Sequence, residues 1–465
     1  MNSDRLTRLL PAFLGALALL LLAFWFWPRT DPGLTSRIPG TDHAPGTGSG
    51  AAGGNPVLQG QLQPGNAQPS AITNSFPQFR GVNRDGLVNT ASPLARSWNP
   101  GQPRQLWSIP VGEGYAGPAV WQGRVYLMDY DREQQRDALR CLSLEDGREI
   151  WRFSYPVKIK RNHGMSRTVP TIHSNLVVAI GPKCHVLCLD AITGELKWGI
   201  DMVRQFGATI PPWYTGQCPL IENDLVILAP GGPQTLLAAV KLHTGELVWT
   251  TPNPRGWKMT HASLMAGDLA GQHTFVYCAS GGVAGVDPNG NLLWDTADWK
   301  ISIATVPSPL LLSPDRVFLT GGYNAGSMML QIQNQDGKFS TRTLFRLDAK
   351  AFGATQHSPI LYQGHIYGVH PDGEFVCLNQ DGKTLWSSGR DQRFGLGPFL
   401  DDNDLIFALN DSGLLSLISA SPDRFQLLGQ TKVPNGRESW GPLALAGDRL
   451  LVRDLETLAC LAVGE

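Results

Sequence analysis

A set of side chains able to bind ligands or carry protons recurs at one phase of a repeating pattern. They are Glu113 and Tyr115, His163 and Arg167, Trp213 and Gln217, His261, Gln356 and His357, and Glu438 with Trp440. Each stands shortly before the first apolar strand of a unit. Aromatic faces mixed with imidazole, guanidinium and amide groups suit a peptide or a polar small molecule. The alternative reading is that His and Arg only satisfy loop carbonyls. Glu113 and Glu438 alone make a poor Ca²⁺ cage, which needs ~6–8 oxygens. No G-x-S-x-G elbow, H-E-x-x-H helix or G-x₄-G-K-[ST] loop occurs in the chain, so no catalytic residue and no metal ligand is assigned.

The elements that must position these residues come from repetition. The segment HVLCLDAITGELKW ends at Trp198, and looser copies end at Trp151, Trp249, Trp294 and Trp386. Each holds an apolar strand, a turn containing Gly, and a second strand closed by Trp, a β-hairpin pattern. Starts such as PAVWQGRVYLMD at Pro118 and PLIENDLVIL at Pro219 supply two further strands. A four-stranded unit returning every ~40–50 residues is one propeller blade. The fixed phase of the tryptophans makes them wedges between blades rather than a cofactor stack. Eight starts are present, at Pro118, Pro170, Pro219, Ser263, Pro309, Pro359, Pro398 and Pro442. Two units are worn: one carries Phe345 where Trp is expected, and LLSLISASPDRFQLL lacks both turn and Trp. The expected fold is therefore all-β, an eight-bladed β-propeller of antiparallel blades, with seven blades as the alternative. The spare strand RQLWSI, carrying Trp107, is expected to complete the last blade and close the ring.

Composition agrees. Lys+Arg 38 against Asp+Glu 39 argues against a nucleic-acid partner bound through a broad basic surface. Gly 52, Pro 34 and Trp 14 suit turn-dense β-structure. The seven cysteines include no adjacent pair. Cys141, Cys188, Cys377 and Cys460 share one strand phase and behave as small buried apolar residues.

Residues 1–8 are read as a cytoplasmic N-terminus. Leu9 to Trp27 is an uncharged apolar run, long enough for a transmembrane signal anchor. Its boundary tryptophans and the absence of an A-x-A-like site favour retention over cleavage as a signal peptide. Residues 28–75, rich in Gly and Pro, read as a flexible linker, and residues 76–465 as the propeller.

LDAITGELKW resembles the repeat of the pyrroloquinoline quinone (PQQ) type of β-propeller, and FPQFRGVNRDG (Phe76 to Gly86) resembles the W-x-Q-F-R-G-x-N-R-D-G opening of a large bacterial subgroup. The likeness spans residues 76–465. It implies one of two roles. Quinoprotein dehydrogenases of the family hold PQQ with Ca²⁺ beneath an adjacent-cysteine disulfide and use an Asp base. BamB-like members bind no quinone and act as docking platforms. The absent Cys-Cys pair favours the second, with no cofactor expected. The resemblance thus implies a scaffold on the outer side of a bacterial inner membrane, with protein partners in the cell envelope. A PQQ-dependent dehydrogenase with a reduced site, in which Arg167 and Glu438 contribute to quinone binding, is the alternative. A polysaccharide-binding module using Tyr115, Trp213 and Trp440 is the third reading.

Overall fold

The computed structural model describes residues 15–22, 54–99, 102–433 and 436–465. The chain divides into two compact units, Met1–Gly48 and Ser49–Glu465. In the first, residues 15–22 are helical. The rest of the expected anchor, residues 1–8 and residues 28–53 of the linker lie outside the described residues. Among the described residues no helix is long and apolar enough to cross a membrane.

The second unit is a ring of eight antiparallel sheets. The innermost strands of blades 1 to 7 are Ala119–Trp121, Thr171–His173, Leu220–Glu222, Met265–Leu269, Leu310–Leu312, Ile360–Tyr362 and Phe399–Asp402. Their fourth strands, counted outward and in the same order, are Glu149–Pro156, Leu196–Asp201, Leu247–Pro252, Leu292–Thr296, Lys338–Leu347, Thr384–Ser387 and Leu427–Lys432. Blade 8 takes Ala444–Ala446, Arg449–Arg453 and Thr457–Ala462 from the C-terminal end and Arg104–Pro110 as its outer strand. Trp107 lies opposite Cys460. The ring closes as the spare strand predicts, and both worn units form full blades.

The spacing between turn glycine and Trp now has a physical cause. In blades 1 to 4 the turn glycine lies against the Trp of the blade before it: Gly147 on Trp107, Gly194 on Trp151, Gly245 on Trp198 and Gly290 on Trp249. Phe345 takes the same place against Gly382, so the worn unit keeps its wedge. Trp249 is the half-buried member of the set; Trp107, Trp151, Trp198, Trp294 and Trp386 are buried. The indoles of Trp107, Trp198 and Trp386 each donate to a backbone carbonyl of the following blade, Leu144, Leu242 and Ser421.

Gly194 has φ +77°, and a Cβ there would stand 2.7 Å from both the Trp151 ring and Leu62 Cδ1. Gly194→Ala is expected to lower stability by ~2–4 kcal/mol, combining left-handed strain with overpacking. Urea unfolding against the same change at Gly271, where a Cβ meets nothing, separates the packing part from the backbone part.

The linker expectation needs correction. Within residues 54–75, Pro56–Gln59 form a 3₁₀ turn and Gln61–Pro64 pair antiparallel with Trp151–Ser154 as a fifth strand of blade 1. Val57 is fully buried. An outer edge strand needs only backbone partners, so the polar QLQP sequence suffices. All seven cysteines are buried and free.

Candidate functional site: an aromatic cup on a plugged axis

The inner strands have no neighbour toward the axis, so the residues entering them present spare backbone groups. Two devices satisfy these. One is a collar of acceptors: Val169 N–H donates to Cys218 Sγ, Cys218 N–H to Ser263 Oγ, Ser263 N–H to Ser308 Oγ, and Ser308 N–H to Ser358 Oγ. Each of these side chains sits one residue before the inner strand's opening Pro or Leu, so the sequence rhythm is [S/C]-P as much as Pro alone.

The other device is the segment FPQFRGVNRDG, which crosses the axis as a plug. Phe76 exchanges two backbone bonds with Val120 of blade 1, and Pro77 O accepts from Ile172 of blade 2. Arg84, 3% exposed, donates to Pro219 O at 2.9 Å and Leu264 O at 3.2 Å, entering blades 3 and 4. Arg80 donates to Ser358 O and Pro359 O at 2.6 and 2.7 Å, entering blade 6. Gly86 O and Val88 N–H bind the Asp401 backbone of blade 7. Burial lowers both guanidinium pKa values to about 10, and both stay charged.

Above the plug lies a cavity of about 300 Å³ lined by Phe79, Tyr115, His163, Arg167, Trp213, His261, Tyr323, Gln356, His357 and Trp440, with Cys218 and Ser263 from the collar. Most of the expected site residues therefore meet. The junctions between blades bring them together, except Tyr323, which comes from the Gly321–Gly326 hairpin of blade 5.

Tyr115 and Trp440 pack with ring centres 5.1 Å apart. Tyr115 donates a 2.5 Å bond to Glu438, and the Arg167 guanidinium lies 5.0 Å over its ring. Arg167 is held by the carbonyls of Trp213, Asn162 and His163. On the opposite wall Trp213 faces His261 at 6.2 Å, and His261 Nε2 meets Pro212 O at 2.8 Å. Trp440 Nε1 donates to Asp411 at 2.7 Å. The backbone is left-handed at His163, Trp213, Tyr214, Tyr323 and Glu438. Such conformations cost ~1–3 kcal/mol each and gather where a surface is shaped for use.

Three expected members, Glu113, Gln217 and Glu438, are not in the cup lining; Glu438 reaches it only through its bond from Tyr115. Gln217 is buried and spends its amide on both backbone groups of Ala229. Glu113 is bound by Arg161 through bonds of 2.7 Å to each carboxylate oxygen, and that partner lowers its pKa.

Burial, reinforced by Arg167, pushes His261 down to about 4, and burial, reinforced by Arg80, pushes His357 down to about 3. Both imidazoles are neutral near pH 7. Burial and then Glu438 raise the Tyr115 pKa. The cup lining thus carries the Arg167 cation (lowered by burial to about 10), with the carboxylates of Glu438 and Asp411 bonded behind the aromatic wall of Tyr115 and Trp440.

The protein-family model described as outer membrane protein assembly factor BamB matches residues 135–388, more than half of the 465-residue chain. The chain belongs to this BamB-like family of PQQ-type β-propellers. Three solved structures similar to the BamB-like chain bracket the range of its fold. BamB from Moraxella catarrhalis is 15% identical with a TM-score of 0.53, covering 77% of this chain and 99% of that one. Quinohemoprotein alcohol dehydrogenase from Comamonas testosteroni is 12% identical with a TM-score of 0.56, covering 85% and 81%. The computationally designed Ika8 protein is 12% identical with a TM-score of 0.53, covering 77% and 99%. Likeness at these identities is one of fold, not of activity. No curated protein sequence matches the chain.

One buried acid of the BamB-like propeller was not legible in the sequence. Asp401 in the inner strand of blade 7 is fully buried, and among the described residues neither carboxylate oxygen has a well-formed hydrogen bond. Burial, then Asp402 and Asp404, push its pKa up to about 8. The folded state therefore holds a proton that the unfolded chain releases near pH 4. Asp401's contribution to stability falls as pH rises from about 4 to about 8, by at most ~1.4 kcal/mol per unit, while the buried neutral His261 and His357 contribute in the opposite sense below about 6.5. Asp401→Asn is expected to remove that contribution, read from the difference between wild-type and variant urea midpoints at pH 5, 6 and 7; the Asp137 carboxyl, also pushed up to about 8 by burial, is common to both.

Proposed function

We propose that this chain is a docking platform of the cell envelope, on the outer side of the inner membrane, that receives a protein partner at the cup. The observation that carries the reading is the cup itself, an aromatic concavity closed below by the plug, whose acids are engaged with neighbouring side chains. The description of the matched family as an outer membrane protein assembly factor supports a role in assembling envelope proteins.

The donor set does not fit a Ca²⁺-held quinone. Glu113 is engaged by Arg161 and Glu438 by Tyr115. Among the described residues no group of three His, Cys, Asp or Glu is placed to hold a metal. The cysteines are free, so no disulfide covers the cup.

The test is affinity capture from solubilised envelopes with the full-length chain and with Tyr323→Asp, which puts a charge on the exposed rim. A partner recovered by the first and lost with the second is the expected result. Alcohol oxidation on addition of PQQ and Ca²⁺, with no partner captured, would overturn the reading.

A further inference from the structure

We propose that the outer edge of blade 1 is a strand-acceptor site for an extended polypeptide of the pattern Val-x-x-Gly-x₄-Gly. The chain's own residues 55–65, the strap, fill it in this structure, and a protein partner carrying that pattern takes it when the strap leaves. The site is on the outside of the ring and does not rest on the docking reading of the cup.

The seat has three parts. Backbone comes first: Gln61–Pro64 pair antiparallel with Ser154 to Trp151, and Gly65 N–H donates to Ile150 O at 2.8 Å. Among the described residues no other sheet has a fifth strand, so the ring is complete without this one. The second part is a slot. Val57 is fully buried over Gly199 of blade 2, where a Cβ would stand 2.7 Å from Val57 Cγ1. Gly199 follows the closing Trp198, whereas the other closing aromatics are followed by Ser108, Arg152, Thr250, Asp295, Arg346 and Ser387. Glycine takes this phase only beside the strap, and the slot is cut for one branched apolar side chain. The third part is close approach. A Cβ at Gly60 would run into the Phe153 ring, and one at Gly65 into the Glu149 carbonyl. Gly60 has φ −67°, open to any residue, so glycine is there for room rather than for conformation.

The strap itself is lightly held. Val57 is its one buried residue; all four residues of Gln61–Pro64 are exposed, and Leu58 is 62% exposed. Its grip is main-chain pairing plus one seated side chain, the arrangement by which an added strand draws affinity from backbone and selectivity from a pocket. An element with so few buried apolar contacts opens at the low-stability end of a fold. What it then uncovers is a sheet edge with unpaired backbone groups beside an empty slot, and the same three features that seat the strap select what replaces it.

The experiment uses the full-length chain and a fluorescent peptide with the strap sequence, GNPVLQGQLQPG. Val57→Asp in the chain puts a charge in the slot and should release the strap. Release is read as loss of hydrogen-exchange protection over residues 55–65, with protection of Leu196–Asp201 retained. The peptide is expected to bind this variant, and to bind the wild-type chain at least ~tenfold more weakly because the tethered strap competes at high effective concentration. Gly199→Val added to Val57→Asp fills the slot and should abolish peptide binding. Because that change could disturb blade 2, a peptide carrying Gly60→Val serves as the second variant; it leaves the protein untouched, meets the Phe153 ring, and should not bind. Unchanged protection of the strap in Val57→Asp, a released strap with no peptide binding, or equal binding of the Gly60→Val peptide would overturn the proposal.

Discussion

Trp107→Ala should lower the stability of the propeller by ~3–5 kcal/mol, as for a large buried side chain lost from a core. Trp107 joins three parts of the ring. Its strand pairs with Thr457–Ala462 to complete blade 8, its ring covers Gly147 of blade 1, and its indole donates to Leu144 O at 2.9 Å. Removing it opens a cavity at the closure and leaves a buried carbonyl without its donor. The same change at Trp249, half-buried and with no partner for its indole nitrogen, should cost less. Urea unfolding followed by far-ultraviolet circular dichroism measures both. Equal losses would mean that the strand from the N-terminal side is an ordinary edge rather than the element that closes the ring.

The second large effect is expected at the plug. Arg84→Ala removes the donor to Pro219 O and Leu264 O in a place that water does not reach. Each orphaned buried acceptor costs ~1–3 kcal/mol, so a total of ~3–5 kcal/mol is expected from the pair and the void. The consequence extends upward, because the Arg84 guanidinium lies 5.9 Å from the ring of Phe79, which floors the cup. Arg84→Lys keeps the charge but loses the fork that reaches two carbonyls, and should recover only part of the stability. A wild-type unfolding midpoint in Arg84→Ala would show that the axis is held by the blades alone.

The two predictions divide what the sequence reveals from what it conceals. The ring was legible because five blades repeat a local bargain between a turn glycine and the aromatic side chain of the blade before. Even Phe345 keeps to it. The plug was not legible in the sequence, because Arg80 and Arg84 bind carbonyls more than a hundred residues away; the resemblance of the opening segment carried no expectation of where it lies. The strand Gln61–Pro64 was hidden by composition, since four exposed residues carry no apolar alternation. Within the site, the blade-junction phase located Tyr115, His163, Arg167, Trp213, His261, Gln356, His357 and Trp440. Gln217 occupies the same phase, but its side chain turns to the backbone. Tyr323 lies in a hairpin outside that phase, and its left-handed φ of 56° leaves no mark in the sequence.

The cup as docking surface is tested most directly by a photo-crosslinking amino acid placed at Tyr323 on the rim, with Leu385, an exposed outer-strand position, as the comparison site. Irradiation of cells carrying the full-length chain should give a discrete protein adduct from position 323 and none from position 385. The same adduct from both positions, or none from position 323, would contradict the assignment of the cup as the docking surface.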